Sequence, residues 1–133
     1  MRTMQPMGRL PGSLSSILRL EEALLGAACI WLFAGTGFSW WLFAILLLSP
    51  DLTMLGYLAG PRAGAIVYNA GHSWLGPVLL AMAGHLAGSP LWFALACIWG
   101  AHIGLDRALG YGLKYTTGFG HTHLGPIGPA AKA

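Results

Sequence analysis

Residues 21–51 read EEALLGAACIWLFAGTGFSWWLFAILLLSPD, and between Glu22 and Asp51 no charged side chain interrupts the run. A run of that length exceeds the roughly 20 apolar residues that cross a bilayer. Turn chemistry breaks it near the middle at Gly35-Thr36-Gly37-Phe38-Ser39, so it reads as a helical hairpin and not as one very long helix. A second run repeats the design. From Arg62 to Asp106 the only charged or imidazole side chains in between are His72, His85 and His102, and Gly88-Ser89-Pro90 divides the stretch.

Working outward gives four spans, 16–34, 40–59, 62–87 and 91–109. At roughly 1.5 Å per residue these are about 27 to 39 Å long, which suits a hydrocarbon core of about 30 Å. The predicted fold class is therefore all-α: an integral membrane four-helix bundle of two hairpins, a single domain over residues 1–133 with flexible tails at 1–15 and 125–133. Pro61 and Pro90 stand where helices begin, with Ser89 as a ready N-cap. Pro50 and Pro77 fall inside the second and third spans and predict kinks.

Composition supports lipid as the solvent. The chain is 56% hydrophobic and 8% charged, against roughly 25% charged in an ordinary soluble domain, and its mean hydropathy is +0.64. With four spans, both termini and the central connection share one side of the membrane, and all seven cations (Arg2, Arg9, Arg19, Arg62, Arg107, Lys114 and Lys132) fall on it. Cytoplasmic loops carry the Lys and Arg excess, so the expected location is the bacterial inner membrane, multi-pass, with cytoplasmic termini. The basic pI needs no nucleic-acid partner, because these cations are scattered at helix ends facing anionic headgroups. The stretch Leu25 to Cys29 faintly resembles a lipoprotein cleavage site, but Glu21 and Glu22 cut short the apolar run before it, and the first helix is expected to be retained. Cys29 and Cys97 lack pair spacing and read as small buried residues.

The small-residue spacings Gly56-x-x-x-Gly60-x-x-x-Gly64, Gly84-x-x-x-Gly88 and Gly100-x-x-x-Gly104 let helices approach closely in lipid. They serve internal seams, or the glycine-rich contact of a homo-oligomer or larger membrane complex.

Asp51, His72, His102 and Asp106 carry the functional signal. Ionisable groups at membrane depth are costly and by default mark a site. Counted from the cytoplasmic helix ends, all four fall in one layer about 5 to 15 Å deep. His102 and Asp106 share a helix face at i, i+4, as do Tyr68 and His72, while Asn69 and His72 do so at i, i+3. Two imidazoles and two carboxylates match the ligands of zinc, manganese or iron. A divalent metal there could make a bound water nucleophilic, with Asp51 and His102 as the catalytic candidates and Tyr68, Asn69, His121 and His123 as supporting or substrate contacts. The same residues also serve plain hydrogen bonding between helices, with Asp51 paired to Arg62, Arg107 or His72, or ligation of a pigment or haem. His85, near the opposite face, reads as structural.

The blocks from Pro50 to Arg62, Tyr68 to Ser73, Ala101 to Arg107, Gly110 to Tyr115 and Thr122 to Gly125 resemble the domain-of-unknown-function family numbered 4260, over about residues 18–127. That resemblance implies a small multi-span bacterial membrane protein with no assigned activity. Pro50-Asp51, His72-Ser73 and His102-x-x-x-Asp106 are also similar to membrane-bound metal-dependent hydrolases, which implies metal-ligand roles for Asp51, His72, His102 and Asp106. Thr53 and Val67 stand where that group carries a further acid and a further histidine, so a single metal or none is easier to support than a pair. The expected activity is hydrolysis of an ester or phosphoester in a lipid-like substrate. The competing expectation is a non-catalytic accessory subunit of a larger membrane complex.

Overall fold

The computed structural model describes residues 11–114 and 120–127. Five α-helices and one long 3-10 segment follow one another: α1 Gly12–Ala34, α2 Trp40–Leu46, the 3-10 segment Ser49–Ala59, α3 Pro61–His72, α4 Leu75–Ala87 and α5 Pro90–Ala108. A two-stranded antiparallel hairpin, β1 His121–Thr122 with β2 Gly125–Pro126, closes the described chain. The protein is helical, as the sequence predicts, but two of the four expected spans are broken.

Proline explains both breaks. In a continuous second span the Pro50 ring would meet the carbonyl four residues back and remove a backbone donor. The chain changes winding instead: Ser49 Oγ donates to the Leu46 carbonyl at 2.7 Å, and Asp51 N–H donates to Leu48 at 3.0 Å. Thr53 Oγ1 adds a bond to the Pro50 carbonyl at 2.7 Å. Runs of 3-10 helix longer than three or four residues are uncommon, and this one spans 11. In the third span, the Pro77 ring would clash with the carbonyl of Ser73. Ser73 is extended, φ −94° and ψ 151°, so α3 stops at His72 and Pro77 falls in the first turn of α4, where its missing N–H costs nothing. The predicted Pro77 kink is thus a complete interruption four residues upstream.

The bundle is organised around α5. Small side chains dominate its buried face, which holds Ala94, Ala96, Cys97, Gly100, Ala101 and Gly104 together with Ile98, His102 and Ile103. Helix α1 crosses it at Gly26 and Gly104, so closely that a Cβ on Gly104 would lie 2.6 Å from the Gly26 Cα and 2.7 Å from the Glu22 carbonyl oxygen. Gly84 opens the α4–α5 hairpin in the same manner, with a Cβ there 3.0 Å from the Phe93 nitrogen, and Gly56 admits Val67 of α3 onto the 3-10 segment. Gly100 faces Cys29 and Trp74. Gly56, Gly64, Gly84, Gly100 and Gly104 therefore line internal seams, whereas Gly60 and Gly88, at positive φ beyond helix ends, face open space. Ser89 caps α5 as predicted, accepting from the Trp92 N–H.

At the far end Phe33, Trp40 and Phe43 pack edge to face with ring centroids 5.0 to 5.4 Å apart. At the near end α5 stops at Gly110, whose φ of +96° a residue with a Cβ rarely adopts, and Tyr111 N–H donates back to the Asp106 carbonyl at 2.8 Å. The chain then returns over the bundle. Lys114 pairs with Thr122 in a β-bridge and His123 N–H donates to the Leu113 carbonyl at 2.9 Å. Two expected tails are corrected accordingly: residues 12–15 belong to α1, and Gly125–Pro126 is paired in β2.

The outward faces are apolar, with Leu24, Trp31, Trp41, Leu58 and Leu86 among the most exposed side chains. Taken as one 20-residue stretch, Trp40–Ala59 is long and apolar enough to cross a membrane by length and composition.

Gly104→Ala should force α1 and α5 apart and lower stability by roughly 1–3 kcal/mol, whereas Gly12→Ala, which meets open space, should leave it unchanged or slightly higher. Thermal unfolding of the two variants in detergent checks this. Equal melting of Gly104→Ala and the parent chain would contradict the close seam.

Candidate metal centre

Three helical segments deliver four side chains to one point. Asp51 comes from the first turn of the 3-10 segment, His72 from the last residue of α3, and His102 and Asp106 from successive turns of α5. His72 Nε2 lies 3.1 Å from His102 Nε2, 3.2 Å from Asp51 Oδ1 and 3.5 Å from Asp106 Oδ2. His102 Nε2 lies 3.1 Å from Asp51 Oδ1 and 3.2 Å from Asp106 Oδ2. All four ligand atoms fall within 4.8 Å of one another.

These separations have a geometric meaning. A tetrahedral ion with metal–ligand bonds of ~2.0–2.1 Å has ligand–ligand edges of about 3.3–3.4 Å. Five of the six edges here run from 3.1 to 3.5 Å. The four residues are grouped so that they could hold one metal ion, the Asp51–Asp106 edge lying within 4.8 Å.

Hydrogen bonding fixes which atoms face inward. His72 Nδ1 lies 3.0 Å from the Tyr68 carbonyl, which only accepts, so Nδ1 carries the proton. Thr53 agrees: its hydroxyl hydrogen goes to the Pro50 carbonyl, leaving its oxygen, 3.4 Å from Nδ1, as a second acceptor. In its neutral form His72 therefore turns the Nε2 lone pair into the cluster. This is the familiar support of a metal-bound imidazole, in which one ring nitrogen donates to a carbonyl and the other is free to ligate. Four electron-rich atoms aimed at one point repel one another unless a cation or added protons sit between them.

Burial is uneven. His72 and His102 are 4% and 3% exposed, whereas the Asp51 and Asp106 side chains are 39% and 21% exposed. The centre is closed on its imidazole side and open on its carboxylate side.

A second polar network braces the first. Arg107 Nη1 donates to Glu22 Oε1 at 2.9 Å, the Trp74 indole N–H donates to Glu22 Oε2 at 2.8 Å, and Arg107 Nη2 donates to the His72 carbonyl at 3.3 Å. Glu22 of α1 thus anchors α4 and α5 and, through Arg107, the backbone of a cluster histidine. Arg107 is engaged by Glu22, so the sequence-based pairing of Asp51 with Arg107 is replaced by its contacts with His72 and His102.

The supporting residues divide. The Tyr68 ring stacks on the His72 ring with centroids 3.8 Å apart and planes 8° apart. Asn69 turns away: its Nδ2 donates to the Lys114 carbonyl at 2.8 Å, and its Oδ1 accepts from the Lys114 N–H at 2.6 Å. His123 stands apart from the cluster, with Nδ1 accepting from the Leu113 N–H at 2.8 Å. The side chain of His121 lies outside the described residues. His85 lines an apolar groove with Trp31, Met82 and Phe93 and is not in the cluster.

Sequence reading missed Lys114. Its side chain is 4% exposed, with Nζ 4.9 Å from the centroid of the Tyr68 ring. Burial pushes its ammonium down to about 8, against an upward pull from Asp106. Glu22 was also undervalued as a mere interruption of the first apolar run.

Fold and site together define an all-helical protein with a two-histidine, two-aspartate cluster able to hold a metal ion. The chain belongs to the family described as Domain of unknown function (DUF4260), whose model matches residues 15–127. No curated protein and no solved structure matches it.

The Lys114 shift predicts a pH dependence. The folded protein gives up this proton near pH 8 and the unfolded chain only near 10.5, so between those values the unfolded chain holds more protons and stability rises with pH. Below pH 8 the buried charge is a constant cost. Melting curves from pH 8 to 10.5 should therefore show a rise in the parent chain relative to Lys114→Met, and parallel curves would contradict it.

Proposed function

We propose that this chain is a multi-pass protein of the bacterial inner membrane, with cytoplasmic termini, that binds one divalent metal ion through Asp51, His72, His102 and Asp106 and hydrolyses an ester or phosphoester of a lipid-like substrate. The observation that carries the metal reading is the set of five near-tetrahedral edges among two imidazole nitrogens and two carboxylate oxygens gathered at one point. Plain hydrogen bonding would leave several of those atoms facing acceptors. The ligand set has no thiolate, which suits zinc, manganese or iron better than copper(I) or a cluster cofactor.

The membrane reading rests on the apolar outward faces, on the length and apolarity of Trp40–Ala59, and on cations confined to one side of the sequence-derived topology. The cluster lies toward that cationic side, where its open carboxylate edge would meet cytoplasmic solvent and headgroups.

Asp51, His72, His102 and Asp106 would hold the ion, which would supply Lewis acidity toward a water on the open carboxylate side if its shell expands beyond four ligands. The chain's own groups do the rest. Asp51, the most exposed member, is placed to take up a proton released on the open side. His102 is buried in the wall of the site, and the Tyr68 carbonyl holds a proton on His72 Nδ1, which leaves Nε2 as the ligating nitrogen of the neutral ring. The stacked Tyr68 ring keeps the His72 imidazole from rotating.

Protein purified in detergent and equilibrated in turn with zinc, manganese and iron should retain about one ion per chain. Asp51→Ala and His102→Ala should weaken retention at least about tenfold. Hydrolysis of a chromogenic phosphoester by the loaded protein should fall by at least about a hundredfold in His102→Ala. Absence of bound ion, together with unchanged melting of both alanine variants, would overturn the metal reading. Stoichiometric metal without any ester or phosphoester hydrolysis would overturn the enzymatic half alone.

A further inference from the structure

The candidate centre draws its side chains from two separately packed parts of the fold. Helix α5, which carries His102 and Asp106, packs on α1 and α4, whereas α3, which carries His72, packs chiefly on the 3-10 segment that carries Asp51. Direct helix packing between α3 and α5 is slight. A cavity of about 270 Å³ opens between the two parts, lined by Pro50, Thr53 and Gly71 on one side and by Leu95, Ile98 and Trp99 on the other. Close apolar packing therefore does not set the spacing of His72 from His102 at this seam.

Polar ties cross the gap instead. The last carbonyls of a helix have no partner inside it, and α3 ends at His72 as the chain turns extended at Ser73. The Trp99 indole N–H donates to the Gly71 carbonyl at 2.6 Å, and Arg107 Nη2 donates to the His72 carbonyl at 3.3 Å. The two peptide groups that flank the His72 Cα are thus both tied to α5. Trp99, His102 and Asp106 share one face of that helix at i, i+3 and i+7, so the element that supplies two cluster members also holds the backbone of a third. Asn69 ties α3 to the Lys114 backbone, away from the cluster.

The sequence makes room for the longer reach. Gly76, in the first turn of α4, lacks the Cβ that would run into the six-membered ring of Trp99. On the α3 side, Thr53 packs where a Cβ on Gly71 would stand, and its hydroxyl oxygen lies 3.4 Å from His72 Nδ1. Arg107 divides its donors between Glu22 and His72, while an indole has one donor and here gives it to Gly71.

We propose that Trp99 is a positioning residue of the metal centre: its bond to the Gly71 carbonyl sets the His72 imidazole against His102 and Asp106, so that an ion joins the two parts of the fold at a preset distance. This inference rests on the metal reading above. Losing a hydrogen bond that orients a metal ligand typically weakens binding by about 10–100-fold.

The test uses the full-length chain in detergent, with zinc affinity measured by chelator competition and ligand geometry by the visible absorption of the cobalt-loaded protein. Trp99→Phe deletes the N–H and keeps an aromatic ring over Gly76. It should bind zinc at least about tenfold more weakly than the parent and shift the cobalt bands. Gly84→Ala, which crowds the α4–α5 seam among Ser89, Trp92 and Phe93, measures general destabilisation. It should melt lower than the parent yet keep zinc affinity within threefold and the parent's cobalt spectrum. Should Trp99→Phe not fold, the same two measurements on Arg107→Lys decide, because one ammonium cannot reproduce the forked contacts to Glu22 and the His72 carbonyl. Zinc affinity within threefold of the parent with an unchanged cobalt spectrum, or an equal loss in Gly84→Ala, overturns the inference and leaves the metal reading intact. Parent protein that binds no zinc overturns the metal reading and this inference with it.

Discussion

Four lone-pair-bearing atoms, two imidazole nitrogens and two carboxylate oxygens, are held at one another's contact distance by side chains from three helical segments. Without a cation or shared protons between them these atoms would repel, strongly so at separations near 3 Å in a partly dehydrated interior. The surrounding structure is organised to keep them there. The 3-10 winding turns Asp51 inward, the extended Ser73 ends α3 at His72, and α5 presents His102 and Asp106 on one face.

The second layer of organisation is steric. Helix α5 can serve as the central post only because its buried face is made of glycine and alanine, so that α1 approaches to backbone contact at Gly26 and Gly104. That close approach brings Glu22 within reach of Arg107 and Trp74, and Arg107 in turn holds the His72 carbonyl. Packing and electrostatics are coupled here: the distance between two helix backbones sets the position of a ligand's peptide bond.

Much of the site was legible in the sequence, and for a definite reason. Charged residues are so sparse that Asp51, His72, His102 and Asp106 stand out, and helical periodicity places them at a common depth. The i, i+4 relation of His102 and Asp106 and the contact of Tyr68 with His72 follow from the same periodicity. The helix interruptions were harder to read. Pro50 and Pro77 were visible, but whether a proline bends a helix, rewinds it as 3-10 or ends it depends on which partners take up the freed carbonyls, and Ser49 and Thr53 decided the first case. Glu22 and Lys114 were missed because their partners lie far along the chain: Arg107 is 85 residues from Glu22, and Asn69 is 45 from Lys114. No local pattern encodes such pairs. His123 carried a ligand-like residue type, but its ring belongs to the returning hairpin.

The central claim is that one metal ion sits among these four residues. X-ray absorption at the zinc edge of the loaded, detergent-purified protein measures it most directly. The account predicts a first shell of four or five nitrogen and oxygen neighbours, the fifth a water, at ~2.0–2.2 Å with the outer-shell signature of two imidazoles. A shell made of water alone, of sulfur, or lacking imidazole scattering would contradict it.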